Sequence, residues 1–328
     1  MKAVLIEREG TPPVVREIPK PEPGPGQVRV RIAGASVNFA DVMMVRGGYH
    51  SPRPLPFVPG MDAYGVVDAA GEAAPGSLLG VPVVAFPSGS YAQYALVDVR
   101  LLSPAPQGVS PDALQGIGLV GCTAYELLTR AGGLRPGDRV LVHAAAGGVG
   151  SLLIQMAHLL GAGTVIGQVG HPEKADLVYE LGADAVLTGP PSSWAGAIRE
   201  QTAGRGVDLV LNALQGESLA ADAACLADFG RLVVYGQAAG TDGHLSGGAL
   251  YPKNQRLIGY SFGHIRRTRP EFVAPTLGQV LEWLAAGRIR VPIGGRFPLA
   301  EASAALNLVA SGRSTGKVLV DVPANNRD

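Results

Sequence analysis

The chain predicts a two-domain α/β protein, with a doubly wound parallel sheet in its middle and a β-rich domain of barrel type assembled from its beginning and its end. Three observations predict it. Between Arg139 and Phe262, apolar strands alternate with helical patterns, as in a parallel sheet covered by helices on both faces. The first of these strands runs through a glycine-rich turn straight into an amphipathic helix. The first ~115 residues instead hold short alternating strands broken by Pro/Gly clusters. A length of 328 residues exceeds the usual single core and accommodates two domains.

In chain order, strands are expected at 27–33, 63–69 and 92–97, separated by clusters such as Pro19-Lys-Pro-Glu-Pro-Gly-Pro-Gly26 and the proline-rich stretch 51–60. A helical stretch opens at 110–118 and continues through 122–131. The strand that starts at Arg139 leads into the turn and the helix that follows it. Then come strand 164–170, helix 172–182, strand 185–188, a helix near 194–203, strand 207–214, helix 218–227 and strand 231–236, with a sixth strand at 257–262. Helices at 275–286 and 300–311 and a strand at 317–322 follow. The parallel sheet already has six strands by then, so these last elements are expected to return to the first domain. The division is therefore 1–117 with 263–328, and 118–262.

The turn itself reads His143-Ala-Ala-Ala-Gly-Gly-Val-Gly150. Glycine permits a tight turn and close backbone approach, and the first helical turn aims unpaired N–H groups and the positive dipole end at an anion. At the first strand-to-helix junction of such a sheet, this is a cradle for a dinucleotide pyrophosphate, a variant of the G-x-G-x-x-G fingerprint. The alternative is a turn whose glycines only ease helix packing. An NAD site usually carries Asp or Glu about 20 residues past the glycines, whereas a 2′-phosphate requires that acid to be absent and a cation to be near. Here the second strand ends Val169-Gly170-His171-Pro172-Glu173-Lys174. Gly170 offers no acid and Lys174 offers an ammonium, so NADPH is the expected cofactor; the alternative for Lys174 is a solvated helix-surface lysine. Glu173 is expected to point away from it around the helix.

Zero net charge and a pI near 7 leave no electrostatic footprint for nucleic acid or an anionic membrane. The one basic cluster, Arg266, Arg267 and Arg269, reads as a solvated loop. Two cysteines, Cys122 and Cys225, cannot build a disulfide framework, and Cys122 beside Thr123 reads as a small core residue. The N-terminus meets acids too early for a signal peptide, and no apolar run approaches the roughly 18 residues of a membrane span. The expectation is a cytoplasmic protein.

The segments Val37-Asn-Phe-Ala-Asp-Val-Met43, Gly47-Gly-Tyr49, Val58-Pro-Gly-Met-Asp62, Gly121-Cys-Thr-Ala-Tyr125, the turn 143–150 and Gly312-Arg-Ser-Thr-Gly-Lys-Val-Leu-Val320 stand in a familiar order. Over essentially its whole length the chain resembles the medium-chain dehydrogenase/reductase superfamily, in its zinc-free, zeta-crystallin-like quinone oxidoreductase branch. The resemblance implies a Rossmann domain plus a GroES-like partial-barrel catalytic domain, and a homodimer. Zinc-dependent relatives place a Cys ligand within the segment 37–41 and a His-Glu pair where this chain has Met61-Asp62. A tetrahedral zinc needs such ligands. The six histidines form no metal-binding cluster in the sequence, so no metal is expected.

By the same resemblance Asn38, Asp41 and Tyr49 line the catalytic cleft, with Asn38 orienting cofactor or substrate and Tyr49 closing the pocket or hydrogen-bonding a developing enolate. Structural alternatives are a loop or cap role for Asn38, a first-turn acid for Asp41 and packing for Tyr49. Met43 stands where the branch often has tyrosine. The resemblance assigns Thr123 and Val149 to the nicotinamide side, Gly147, Gly148 and Gly150 to the pyrophosphate turn, and Gly170 with Lys174 to the 2′-phosphate. Asn212, Gly236, Gln237 and Phe262 follow sheet ends, and Arg313 and Lys317 match a segment near the cofactor. Without a Lewis acid, a quinone or an alkene conjugated to a carbonyl is the acceptor that can take hydride with hydrogen bonding alone. An enoyl-thioester reductase is the enzymatic alternative, because polyketide enoyl-reductase domains share the Asn-Phe-x-Asp segment and the glycine turn. A cofactor-bound structural or regulatory protein is the alternative outside catalysis.

Overall fold

The alternating apolar segments of the middle of the chain form a six-stranded sheet in a computed structural model that describes residues 1–49 and 53–323. From edge to edge the strands are Ala185–Leu187, Thr164–Gln168, Arg139–Val142, Val207–Asn212, Leu226–Val234 and Arg256–Gly259, and every neighbouring pair is parallel. Buried strands in a parallel sheet read as unbroken apolar runs. Val140, Leu141 and Val142 do so and are fully buried. Leu141, Ile166, Trp194, Ile198, Val210 and Leu232 build a core on this sheet. The first strand in sequence, Arg139–Val142, lies between Thr164–Gln168 and Val207–Asn212, so the chain order reverses there. Such a switch point opens a crevice at the carboxyl ends of the strands.

This sheet belongs to the compact unit Thr123–Gly263; the other unit is Met1–Cys122 with His264–Asp328. The boundaries fall within the helices Pro111–Glu126 and Phe262–Thr268 rather than at 117 and 262. Local differences from the expected elements have physical causes. The expected helix 172–182 opens with the single tight turn Pro172–Lys174 before Ala175–Glu180. The next helix starts at Pro191, where proline's missing N–H costs nothing at a first helical position. Helix Ser218–Cys225 stops short because Leu226 already pairs with Val207 in the sheet, and a register shift then carries the pairing to Arg231.

In the first unit, Gln27–Val37 is the hub of a seven-stranded sheet and pairs antiparallel with Ala63–Ala70, Tyr94–Asp98 and Lys317–Asp321. Ile293–Pro298 and Lys317–Asp321 join this sheet, so the C-terminal elements do return to the first unit. The hub strand runs to Val37 rather than to 33, because the small residues Ala33-Gly34-Ala35-Ser36 hide its alternation while their backbone continues the ladder. Gly34 is required there. A Cβ would stand 2.2 Å from the amide of Gln115, whose Nε2 donates to the carbonyls of Ala35 and Val320. The hub thus delivers Ser36, Val37 and Asn38 to the start of helix Phe39–Val45. No helix among the described residues is long and apolar enough to cross a membrane.

Candidate functional site

In the second unit the glycine turn is shaped by backbone contact. Helix Gly148–Leu159 starts after Gly147, whose N–H donates to Ala144, and Ala144 itself adopts a left-handed conformation (φ 49°). A Cβ on Gly150 would meet the Ala144 carbonyl oxygen at 2.2 Å, and one on Gly147 would meet it at 3.1 Å. The turn is therefore closed to side chains. The helix N-terminus, with its free donors and positive dipole end, follows with no Cβ at Gly147, Gly148 or Gly150. Val149 and Gly148 occupy the first helical turn, half-buried.

Behind the turn lies a buried polar network. His143 is fully buried, with Nε2 2.7 Å from Asp222 Oδ1 and Nδ1 3.3 Å from Gln168 Oε1, and its ring is tilted over Trp194 at 4.9 Å. Gln168 Oε1 also accepts from Ala144 N–H, and its backbone carbonyl accepts from Ala145 N–H. Asn212 donates to Ser218 Oγ and to Asp222, and its Oδ1 accepts from the N–H groups of Leu214 and Gln215. The network ties three neighbouring strand ends to the turn, so Asn212 acts from inside the sheet rather than on its surface. Gly236 lies close to the Ala213 carbonyl, which would stand 2.8 Å from an added Cβ, and Gln237 donates to Asp242. At the second strand's end Gly170 is exposed, with nothing within 4 Å of where a Cβ would be. Lys174 is half-buried in the turn that follows; burial pushes its pKa down, and Glu173 pulls it up. Thr123 is half-buried in helix Pro111–Glu126, and Phe262 is buried at the head of its helix.

In the first unit, Asn38, Asp41 and Lys317 are brought together. Lys317, 2% exposed, donates from Nζ to the Val37 carbonyl (2.9 Å) and to Asn38 Oδ1 (2.7 Å). Its ammonium therefore ends in the polar core of this unit, at the side chain of Asn38. Arg313, four residues earlier, is exposed and stands apart from that cluster's hydrogen bonds. Asn38 Nδ2 in turn donates to Asp62 Oδ1 (3.0 Å), which also accepts from Ser36 Oγ (2.9 Å), while Asp62 Oδ2 accepts from Leu119 N–H (3.0 Å). Both ends of the Asn38 amide are thus engaged within the cluster. Asp41 sits at the third helical position, where its Oδ2 accepts from Asn38 N–H (2.9 Å) and Tyr91 OH (3.4 Å). Its Oδ1 is buried with no partner among the described residues.

Burial pushes the Asp41 carboxyl up to about 7, and the charge of Asp62 adds to this; Asn38 N–H and Lys317 pull the other way. The folded chain therefore holds a proton that the unfolded chain has released between pH 4 and 7, and stability from this group is full below about pH 4 and lost as pH rises to 7. Replacing Asp41 with Asn removes that ionisation while keeping an acceptor for Asn38 N–H. The difference in unfolding free energy, Asp41→Asn minus wild type, should rise from pH 4 to pH 7 by up to about 4 kcal/mol and stay level above that. Urea titrations at several pH values check this; a difference independent of pH would show that Asp41 is ionised throughout.

Tyr49 follows the Gly47-Gly48 turn and is half-buried in a small cavity that includes Ile6, Met44, Arg53 and Phe57. Burial pushes its phenol pKa up, and the Arg266 charge pulls it down. His50 lies outside the described residues. The sequence suggests a solvated loop for Arg266; the residue lies instead in helix Phe262–Thr268 and turns inward, donating from one terminal nitrogen to the Met61 carbonyl at 2.9 Å. The spacing Phe262 to Arg266, one helical turn, is the signal for this, because an apolar side chain at that distance marks the inner face. No local signal reveals Asp62, Ser36 and Tyr91, or the pairing of His143 with Asp222, since their partners are distant in sequence. Cys122 is fully buried, as a core residue.

Residues 24–107 match the alcohol dehydrogenase GroES-like domain, and residues 148–278 match the zinc-binding dehydrogenase family. A mycobacterial protein solved in complex with NADPH has the same fold at a TM-score of 0.91 and 33% identity, over 98% of this chain and 99% of that one. The quinone oxidoreductase of Thermus thermophilus, solved alone and with NADPH, is similar at a TM-score of 0.85 and 33% identity, over 98% and 100% of the two chains. Phthioceranic/hydroxyphthioceranic acid synthase of Mycobacterium tuberculosis is 32% identical over 298 residues, which is 90% of this chain. The chain spans only 14% of that relative's length.

Proposed function

The chain belongs to the medium-chain dehydrogenase/reductase superfamily, in its quinone oxidoreductase branch, and we propose that it uses NADPH to reduce quinones or alkenes conjugated to a carbonyl. The observation that carries the cofactor reading is the turn at Gly147–Gly150, which backbone contact at Gly150 closes to any side chain and which presents a helix N-terminus at the switch point of a parallel sheet. Gly147, Gly148 and Gly150 would hold the pyrophosphate, and Gly170 with Lys174 the 2′-phosphate. Thr123, Val149, Asn212, Gly236, Gln237 and Phe262 complete the proposed binding set. When bound, NADPH supplies the hydride. Tyr49, a phenol half-buried in a cavity it shares with Arg53, is suited to donating a hydrogen bond to the acceptor, while Asn38 and Asp41 belong to the buried polar cluster at the start of helix Phe39–Val45.

Similarity to a segment of polyketide synthases, together with the Asn38-Phe-Ala-Asp41 segment, favours enoyl thioesters as the second substrate reading. A single screen separates the two: NADPH oxidation with quinones, enals, enones and enoyl thioesters, with NADH and saturated alcohols alongside. Rapid turnover of quinones or enones is expected. Measurable NADPH binding with failure on every acceptor would sink the enzymatic reading.

Cofactor choice supplies a second check. A charge-assisted hydrogen bond contributes about 1.5–3 kcal/mol, a preference of roughly 10- to 100-fold for NADPH over NADH. Lys174→Ala should remove most of it by weakening NADPH binding, with turnover at saturating NADPH little changed because the 2′-phosphate is remote from the reacting carbon. Unaltered discrimination in the variant would make Lys174 a surface residue.

A further inference from the structure

Arg266 is a cation with no carboxylate hydrogen-bonded to it among the described residues. One terminal nitrogen donates to the Met61 carbonyl at 2.9 Å, the guanidinium carbon stands 5.4 Å from the centre of the Phe86 ring, and Nε is buried with no hydrogen-bond partner among the described residues. The two acids whose charges act on it are already committed. Asp62 accepts from Ser36, Asn38 and Leu119, and Asp41 accepts from Asn38 and Tyr91. Its neighbour on the same helix, Arg267, is exposed. A guanidinium held against an aromatic face and a carbonyl, with a donor left over, is costly unless something anionic arrives to use it.

The place is informative. By the resemblance drawn from the sequence, Met61-Asp62 stands where zinc-dependent relatives carry a His-Glu pair, and the backbone carbonyl of Met61 anchors a guanidinium. Tyr49 and Arg266 also act on one another electrostatically. We propose that Arg266 is a catalytic residue that binds the carbonyl oxygen of the hydride acceptor and stabilises the oxyanion formed on it, in the role a metal takes in the zinc-dependent enzymes. The inference rests on the conjugated-carbonyl reading given above. In that reaction the acceptor gains a hydride from the reduced nicotinamide of NADPH. A C–H bond forms at the carbon conjugated to the carbonyl, the π pair moves to the carbonyl oxygen, and the resulting enolate later takes a proton from water. Negative charge thus appears on oxygen only as the bond forms, which is the moment a fixed cation stabilises most.

Two measurements test it. The first is the ionisation of bound 4-nitrophenol, a ring whose phenolate mimics the developing oxyanion, followed by its absorbance as pH is varied in the NADP-loaded protein. Wild type should bind the phenolate preferentially and lower the apparent pKa of the bound phenol; Arg266→Gln should abolish the shift and Arg266→Lys should retain part of it. The second is steady-state reduction of a cyclic enone. Arg266→Gln should lose about 100-fold in kcat with a smaller change in KM, as for removal of one oxyanion-hole donor. Thermal melting of each variant reports folding, and Arg266→Lys keeps the test available should the glutamine variant not fold. A wild-type protein that leaves the nitrophenol pKa unshifted, or a glutamine variant that shifts it equally, overturns the proposal. Because that titration needs no turnover, its outcome is separate from the failure of the function reading, which would be absence of quinone and enone reduction by the wild type.

Discussion

Gly150→Ala is expected to abolish measurable NADPH binding while leaving the first unit folded. The added Cβ would stand 2.2 Å from the Ala144 carbonyl oxygen and 2.7 Å from Ala145 Cα, both backbone atoms of the turn it must fold against. No rotamer relieves such a contact, so the turn or the helix has to move. Overpacking of this kind costs roughly 1–3 kcal/mol in stability even where side chains can yield. Displacing the helix N-terminus from the pyrophosphate also removes several charge-assisted hydrogen bonds together, so affinity should fall by more than about 100-fold. Gly196→Ala is the matched control, since open space surrounds its Cβ position in helix Pro191–Gln201 and its backbone requires no glycine. Fluorescence titration with NADPH reads both variants. Near-normal binding by Gly150→Ala would mean that the turn is not the cradle.

The contrast between these glycines explains what is legible in the sequence. The turn can be read because its chemistry is local: a strand, glycines at close spacing and a helix follow one another without a break, and the close approach at Gly150 is made to residues five and six positions earlier. The six strands are legible for the same reason, since a parallel sheet imposes apolar runs that alternate with helices. The last four residues of the hub strand, Gly34 to Val37, escape the pattern, because the run from Ala33 to Ser36 carries too little side chain to show a period. What is not legible depends on contacts made across the fold. Lys317 matches a segment associated with the cofactor, but that its ammonium is held by Asn38, 279 positions away, is visible only in the fold. The sequence marks Asp62 only for standing where a metal ligand is missing, and its role as the acceptor for Ser36, Asn38 and Leu119 needs the folded sheet and the helix beside it. Arg266 is masked by its own neighbourhood: three arginines in four positions suggest a solvated surface, and only the helical period separates the one that turns inward.

Asp62→Leu should be among the most destabilising single substitutions in the first unit. Asp62 is fully buried and its carboxylate accepts from a hydroxyl, a side-chain amide and a backbone N–H; leucine leaves all three donors without this acceptor. It also strips the buried Lys317 ammonium of a negative neighbour that favours its charged form. Breaking a buried charged network by removing one member typically costs about 3–5 kcal/mol, which for a domain of this class lowers the melting temperature by roughly 6–20 °C. The companion Lys317→Met should also destabilise, because Asn38 Oδ1 and the Val37 carbonyl then lose their donor. If the residues act as one network, the double variant will be less destabilised than the sum of the two, since the ammonium and the carboxylate are no longer left without each other. Urea unfolding of the four proteins yields that coupling directly, and because Asn38 bridges the pair, a coupling of at least about 1 kcal/mol is expected. Strictly additive losses would mean that Lys317 and Asp62 each hold Asn38 independently, with no shared polar core.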